Sequence, residues 1–254
     1  MRFNFLNNKG VLYFPGCYSS ANLKPKIENY KKILKKLKIK TQVLDESFCC
    51  GGVLIEAGYE KQVRILAKDN LEVLKQNNIK KIITNDALCF QTFKNSYKDF
   101  LLEWSIEVEF ILSLILKKLK ENKNLIKNKV QEKIFLHDSS YLLENPEIHQ
   151  EIRELLELLG FNLIEFENSN GNSLACGYEG GLKITNPEIA NKIAKNYLSE
   201  IKRQRIEEKI KVITADPQAY VHLKENLRSE GNIEIIEISD VICKSLNLKI
   251  KSDN

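Results

Sequence analysis

The chain is poor in the residues that break regular structure. Its 254 residues include only 11 glycines and 5 prolines, which excludes a collagen-like repeat and argues against long disorder. Long apolar runs are missing too. The most apolar stretch, residues 110–116, falls far short of the ~20 residues that cross a bilayer. It runs into Lys117, Lys118 and Lys120, which suits an amphipathic or buried helix. Residues 1–8 carry one arginine and no apolar core, so no targeting signal is expected there. No Ser-His-Asp order, phosphate loop or dinucleotide fingerprint occurs, and Gly180-Gly181 reads as a turn. Histidine is scarce: His137 ends a predicted strand, and His149 and His222 fall on predicted helices with surface positions expected.

What is present is enough for a sizeable core. The hydrophobic fraction is 43%, and the length suits one large domain or two ordinary ones. Basic residues number 39 against 34 acidic, a formal net charge of +5. Lysines such as Lys31, Lys32, Lys35, Lys36 and Lys38 are spread along a helix, as on a solvated face. No base-reading motif accompanies them, so no nucleic-acid partner is expected. Six cysteines without a secretion signal point to a cytoplasmic protein whose thiols serve metal or redox chemistry rather than disulfides.

Strand and helix patterns alternate. Val11-Leu12-Tyr13-Phe14 and Lys81-Ile82-Ile83-Thr84 read as strands, and residues 41–44 as strand-like. Residues 24–37 and 53–76 have helical spacing, as do stretches from Ala87 and over 106–119. Residues 121–132 are polar and read as a linker between a first half, 1–120, and a second, 133–254. The second half repeats the order: strands at 134–137, 162–166, 211–214 and 233–236, with helices over 146–159, 187–208 and 239–246. Cys17 pairs with Ser140, Cys49-Cys50 with Ala175-Cys176, and Asp86 with Asp216, at nearly constant separation. The expected fold is therefore α/β: two pseudo-repeated Rossmann-like halves, each a mainly parallel sheet flanked by helices. Sites in such sheets form at the carboxyl ends of strands, where all three first-half landmarks lie.

Those landmarks are Pro15-Gly16-Cys17, Cys49-Cys50-Gly51-Gly52 and Asp86-Ala87-Leu88-Cys89. Adjacent cysteines rarely grip one tetrahedral ion, because their side chains diverge. They suit a larger body with several metal atoms, and soft thiolates select iron–sulfur clusters, zinc or copper(I). The pattern resembles the cysteine-rich CCG domain of the disulfide-cleaving subunit of heterodisulfide reductase, also found in iron–sulfur subunits of glycolate oxidase and lactate utilisation systems. Cys17, Cys49, Cys50 with Gly51, and Cys89 fill the family motif of Cys, Cys-Cys-Gly and Cys-x-x-Cys. Asp86 stands where the last pair would have its first cysteine.

The resemblance implies one iron–sulfur cluster, noncubane 4Fe-4S, on Cys17, Cys49, Cys50 and Cys89. Asp86 either adds an oxygen donor or only caps the helix after it. It further implies a cytoplasmic oxidoreductase subunit in disulfide reduction or electron transfer. Flavoprotein or ferredoxin-like partner subunits, and a thiol or disulfide substrate, go with that role. In the second copy Ser140, Ala175, Asp216 and Ala219 replace four cysteines and only Cys176 remains, so no cluster is expected there. Asp216-Pro217 reads as a helix cap, and Cys243 as a core residue. Two other readings of the same cysteines stay open: a structural zinc site in a non-catalytic docking or assembly protein, and a cluster-free thiol–disulfide pair at Cys49-Cys50.

Overall fold

The computed structural model describes residues 10–44, 48–165, 175–203, 209–227 and 232–251. Strands β1 (Val11–Phe14), β2 (Lys81–Thr84) and β3 (Glu107–Phe110) form a parallel three-stranded sheet in that order. Strands β4 (Lys133–His137), β5 (Asn162–Ile164), β6 (Ile210–Thr214) and β7 (Ile233–Glu237) form a parallel sheet of order β5-β4-β6-β7. These are the two α/β halves that the repeat predicts. The central strands read as continuous apolar runs because helices cover both faces; Ile82, Ile83, Val212 and Ile213 are all buried.

In the first half, α1 (Cys17–Asn22) and α2 (Lys24–Lys36) follow β1. Helices α3 (Gly52–Glu56) and α4 (Glu60–Gln76) precede β2, and α5 (Ala87–Gln91) and α6 (Tyr97–Phe100) follow it. After β3 comes α7 (Ile111–Glu121). The second half has α8 (Pro146–Leu158) after β4, then α9 (Leu182–Thr185) and α10 (Pro187–Arg203) before β6. Helix α11 (Pro217–Asn226) follows β6, and α12 (Ile238–Ser245) follows β7. The halves join by matched pairs: α7 packs on α8, and α2 on α12. One core runs through this junction, with Ile33, Leu34, Ile115, Leu119, Leu155, Leu156 and Ile242 in a single cluster. Among the described residues no helix is long and apolar enough to cross a membrane.

Several elements differ from the expectation. The helix read over 53–76 is two helices. Gly58, at φ +79°, reverses the chain after α3, and the Tyr59 N–H bonds back to the Leu54 carbonyl at 2.9 Å, a glycine-closed helix end. The helix read over 106–119 begins as β3, because Glu107 and Glu109 alternate with Val108 and Phe110 and both pair with Lys81. The strand read at 41–44 is a single bridge, Gln42 against Leu12, so among the described residues the first sheet has no counterpart of β5. Helix α10 is described over Pro187–Arg203, and the rest of the helix read over 187–208 lies outside the described residues. Residues 1–9, 166–174 and 204–208, and with them parts of those readings, lie outside the described residues. His149 and His222 are buried, not on the surface. Each packs inward because a neighbour uses its ring. His149 Nδ1 lies 3.0 Å from Asp138 Oδ1, and His222 Nε2 lies 3.2 Å from the Ala190 carbonyl. Cys243 is buried as expected.

A buried carboxyl links the halves. Glu237, at the end of β7, accepts from the Tyr30 hydroxyl of α2 at 2.7 Å and from the Ser239 N–H at 2.9 Å. Burial pushes Glu237 up to about 7 from 4.5, against the hydrogen bonds from Ser239 and Tyr30. The folded chain therefore holds this proton more tightly than the unfolded one. The stabilisation is full below pH 4.5 and is lost as pH rises through about 7. Glu237→Gln keeps one of the two acceptor oxygens and cannot ionise. Chemical unfolding between pH 4.5 and 7 should show a flatter stability profile for it, by up to about 1.4 kcal/mol per pH unit. Parallel profiles for the two proteins would contradict this.

Candidate functional site

The site is assembled at the carboxyl ends of β1 and β2, which are in register at Phe14 and Thr84. Two residues beyond Phe14, Gly16 turns the chain at φ +84° so that Cys17 opens α1. Asp86 lies two residues beyond Thr84, whose hydroxyl accepts the Asp86 N–H at 3.1 Å. Asp86 Oδ1 then accepts the Cys89 N–H at 2.9 Å, capping α5 and fixing Cys89 one turn in. The Cys49-Cys50 pair comes from the loop before α3. Gly51, at φ +83°, lets that loop fold back, so that the Gly51 N–H points to Cys49 Sγ at 3.5 Å and the Gly52 N–H to Cys50 Sγ at 3.4 Å.

The four sulfurs form a chain. Cys17 and Cys49 Sγ are 3.9 Å apart, and Cys50 and Cys89 Sγ are 3.1 Å apart. Cys49 and Cys50 interact side by side. All five sequence-predicted residues, Cys17, Cys49, Cys50, Asp86 and Cys89, line one cavity of about 300 Å³. Cys50, Cys89 and Asp86 are buried, whereas Cys17 is exposed. Hydrogen bonds from the Cys17 and Cys50 thiols hold Cys49 well below the usual thiol range. The same contacts push Cys17 and Cys50 up, and burial pushes Cys89 up to about 12. Burial, then the Asp216 carboxylate of the second copy, pushes Asp86 up to about 7. Bare, this cluster of acids carries few negative charges. Soft cations among the sulfurs would let all four thiols ionise, which is the donor chemistry of a metal–sulfur body. The residues present therefore fit an iron–sulfur cluster.

Two residues that sequence reasoning passed over hold the cysteine loop. Asn70 of α4 donates to the Cys49 carbonyl at 2.7 Å, and the Tyr97 hydroxyl of α6 donates to the Cys50 carbonyl at 2.9 Å. A signal for Asn70 exists: it sits among Val63, Ala67, Leu71 and Leu74 on the buried face of α4.

The second copy keeps the frame and spends its polar groups differently. The Thr214 hydroxyl accepts the Asp216 N–H at 3.2 Å, and Asp216 Oδ1 accepts the Gln218 and Ala219 N–H groups, as the sequence predicts for a cap. Asp216 Oδ2 accepts from Ser139 at 2.7 Å and from Tyr178 at 2.5 Å. Gly177 takes φ +103°, as Gly51 does its own left-handed turn, but the N–H groups of Cys176 and Gly177 bond to the Glu179 carboxylate. Ser140, in Cys17's place, also donates to Glu179, at 3.3 Å. Cys176 is fully buried. In the strand-end loop, His137 Nδ1 lies 3.1 Å from the Thr214 hydroxyl oxygen, and Asp138 receives a bidentate pair from Arg153 at 2.9 and 2.7 Å.

Two tandem copies of a strand-end frame, one with four cysteines and one with Cys176 alone, define a cysteine-rich domain protein. The chain belongs to the CCG cysteine-rich domain family, whose domain matches residues 11–94 and again 134–224. Among its relatives is an uncharacterised iron-sulfur protein of Methanocaldococcus jannaschii, 24% identical over 241 residues, covering 92% of this chain and 46% of that protein. One subunit of the dihydromethanophenazine:CoB–CoM heterodisulfide reductase from Methanosarcina mazei is 26% identical over 196 residues, 75% of this chain and 48% of that subunit's length. The probable iron-sulfur-binding oxidoreductase FadF of Bacillus subtilis is 34% identical over 137 residues, 54% of this chain and 19% of its own length. The chain thus spans less than half the length of each of these relatives.

Proposed function

We propose that the chain is an iron–sulfur subunit of a heterodisulfide reductase-like oxidoreductase, acting in disulfide reduction or electron transfer. In this reading residues 1–120 carry one noncubane 4Fe-4S cluster on Cys17, Cys49, Cys50 and Cys89. Residues 133–254, joined through 121–132, carry none. The observation that supports it most is the run of four cysteine sulfurs, from three loops, along the wall of one cavity. Four thiols spread along a wall suit a body with several metals better than one zinc. The iron–sulfur names of the relatives point the same way.

When bound, such a cluster supplies one-electron transfer at a thiophilic centre. The chain's own part is to place and tune it. The Gly51 and Gly52 N–H groups donate to the Cys49 and Cys50 sulfurs, stabilising negative charge on them. Asn70 and Tyr97 lock the loop that presents them. Asp86 uses Oδ1 for the helix cap, while Oδ2 lies against Gly16, where an added methyl would stand 2.9 Å away. That oxygen is the added donor in this reading. In this reading electrons come from partner subunits, flavoprotein or ferredoxin-like.

The experiment is EPR of the anaerobic protein, titrated with a disulfide and then repeated on Asp86→Ala. The reading expects a cluster signal that the disulfide alters and that Asp86→Ala shifts. A signal indifferent to disulfide removes the disulfide role, and one unchanged in Asp86→Ala removes Asp86 from the ligand set.

A further inference from the structure

The cysteines form only one wall of the cavity. The second half supplies the other, through Tyr141, Tyr178 and Ile184 among others. Apart from the Gln218 side chain, the described residues of this wall leave little polarity free. The Tyr141 hydroxyl donates to Glu56 at 2.5 Å and accepts the Gly180 N–H at 3.1 Å. The Tyr178 hydroxyl is committed to Asp216 at 2.5 Å. The two rings meet edge to face with centroids 5.9 Å apart, so what they bring to the cavity is ring surface. Among the described lining residues Lys183 is the one cation, and its ammonium is 2.6 Å from the Glu225 carboxylate. The other ionisable groups there, beyond thiols and tyrosines, are the carboxyls of Glu56 and Asp86. Leu88 of α5 and the rim residues Val53 and Ile184, 43% and 79% exposed, add apolar surface from both halves.

An acid-armed ligand entering this space would meet carboxyls and sulfurs, with the nearby ammonium already paired. It would lose hydration without gaining a counter-charge. An uncharged ligand would exchange water for ring and aliphatic surface.

We propose that the cavity is a binding site for a small, uncharged disulfide with apolar arms, held between Val53 and Leu88 on one side and Tyr141 and Ile184 on the other, and that it rejects disulfides with acidic arms. The choice of a disulfide rests on the function proposed above; the preference for uncharged arms rests on the wall alone. Reduction of the bound R–S–S–R takes two electrons, delivered singly by a reduced electron-transfer protein, and two protons from solvent. The S–S bond breaks and two R–SH leave.

The test uses anaerobic calorimetry on the full chain with dipropyl sulfide and 3,3′-thiodipropionate. The two share a backbone, differ by methyl against carboxylate, and as thioethers do not exchange with protein thiols. Dipropyl sulfide should bind about tenfold or more tighter. Ile184→Lys, a change at an exposed position that leaves the core alone, should weaken dipropyl sulfide and strengthen thiodipropionate by about tenfold. Equal binding, a preference for the dianion, binding of neither, or no response to Ile184→Lys would overturn the inference. Iron and sulfide are assayed on the same samples. The expected preference in protein without a cluster supports the cavity and removes the cluster reading alone. A cluster-bearing protein without the preference removes the cavity inference alone.

Discussion

Cys50→Ser, purified anaerobically, should fold and lose nearly all its iron, falling from about four irons per chain to less than about one. Cys50 is the most constrained member of the sulfur chain. It is buried, it lies 3.1 Å from Cys89 Sγ, and it receives the Gly52 N–H. Serine preserves its shape and can still accept that N–H, so the fold should survive. A neutral hydroxyl in place of a soft thiolate should bind iron far more weakly. Cys89→Ser should behave alike, being buried in the same contact. Cys176→Ser and Cys243→Ser should retain full iron, because neither is among the residues lining the quartet's cavity. Iron and sulfide assays on the four proteins check this. Equal iron in Cys50→Ser and Cys243→Ser would contradict the assignment.

Arg153→Ala should destabilise the folded chain by about 3–5 kcal/mol, because it removes one partner of a buried ion pair. Asp138 ends the second-copy frame at the start of the loop after β4. Burial pushes its carboxyl up, but hydrogen bonds from His149 and Arg153 outweigh this and hold it well below the ordinary range. Arg153 also grips Glu165 beyond β5 at 2.7 and 2.9 Å, so one guanidinium ties two strand ends together. Without it, Asp138 keeps only His149 of that pair. A depressed carboxyl contributes stability above its unfolded value and loses it as pH falls through the folded one. The penalty should therefore shrink in acid. Urea unfolding at neutral and acidic pH measures it; a loss under about 1 kcal/mol at neutral pH would show that the site is more hydrated than its burial implies.

Much of the site is legible in the sequence because its signals are local. Strand ends carry Gly16-Cys17 and Thr84-Asn85-Asp86, and the second copy repeats Thr214-Ala215-Asp216 at the matching corner. The capping role of Asp216 follows from Pro217 alone. Other features depend on long-range contacts. The alternation at residues 107–110 is too short to stand apart from the helix they lead into; pairing with β2 makes them a strand. His149 reads as a surface residue because its partner, Asp138, lies on a different element. The wall opposite the cysteines leaves no local trace, because Tyr141 and Tyr178 reach it only when α3 meets the Gly180 turn, through Glu56. The single-turn break at Gly58 is visible in principle, since Ala57-Gly58-Tyr59 interrupts the helical face of α4.

The central claim is that the first copy holds one iron–sulfur cluster. Metal and acid-labile sulfide analysis of the wild-type chain, purified without oxygen, tests it most directly. The account predicts brown protein with about four irons and about four sulfides per chain. Colourless protein with stoichiometric zinc and no sulfide would contradict it.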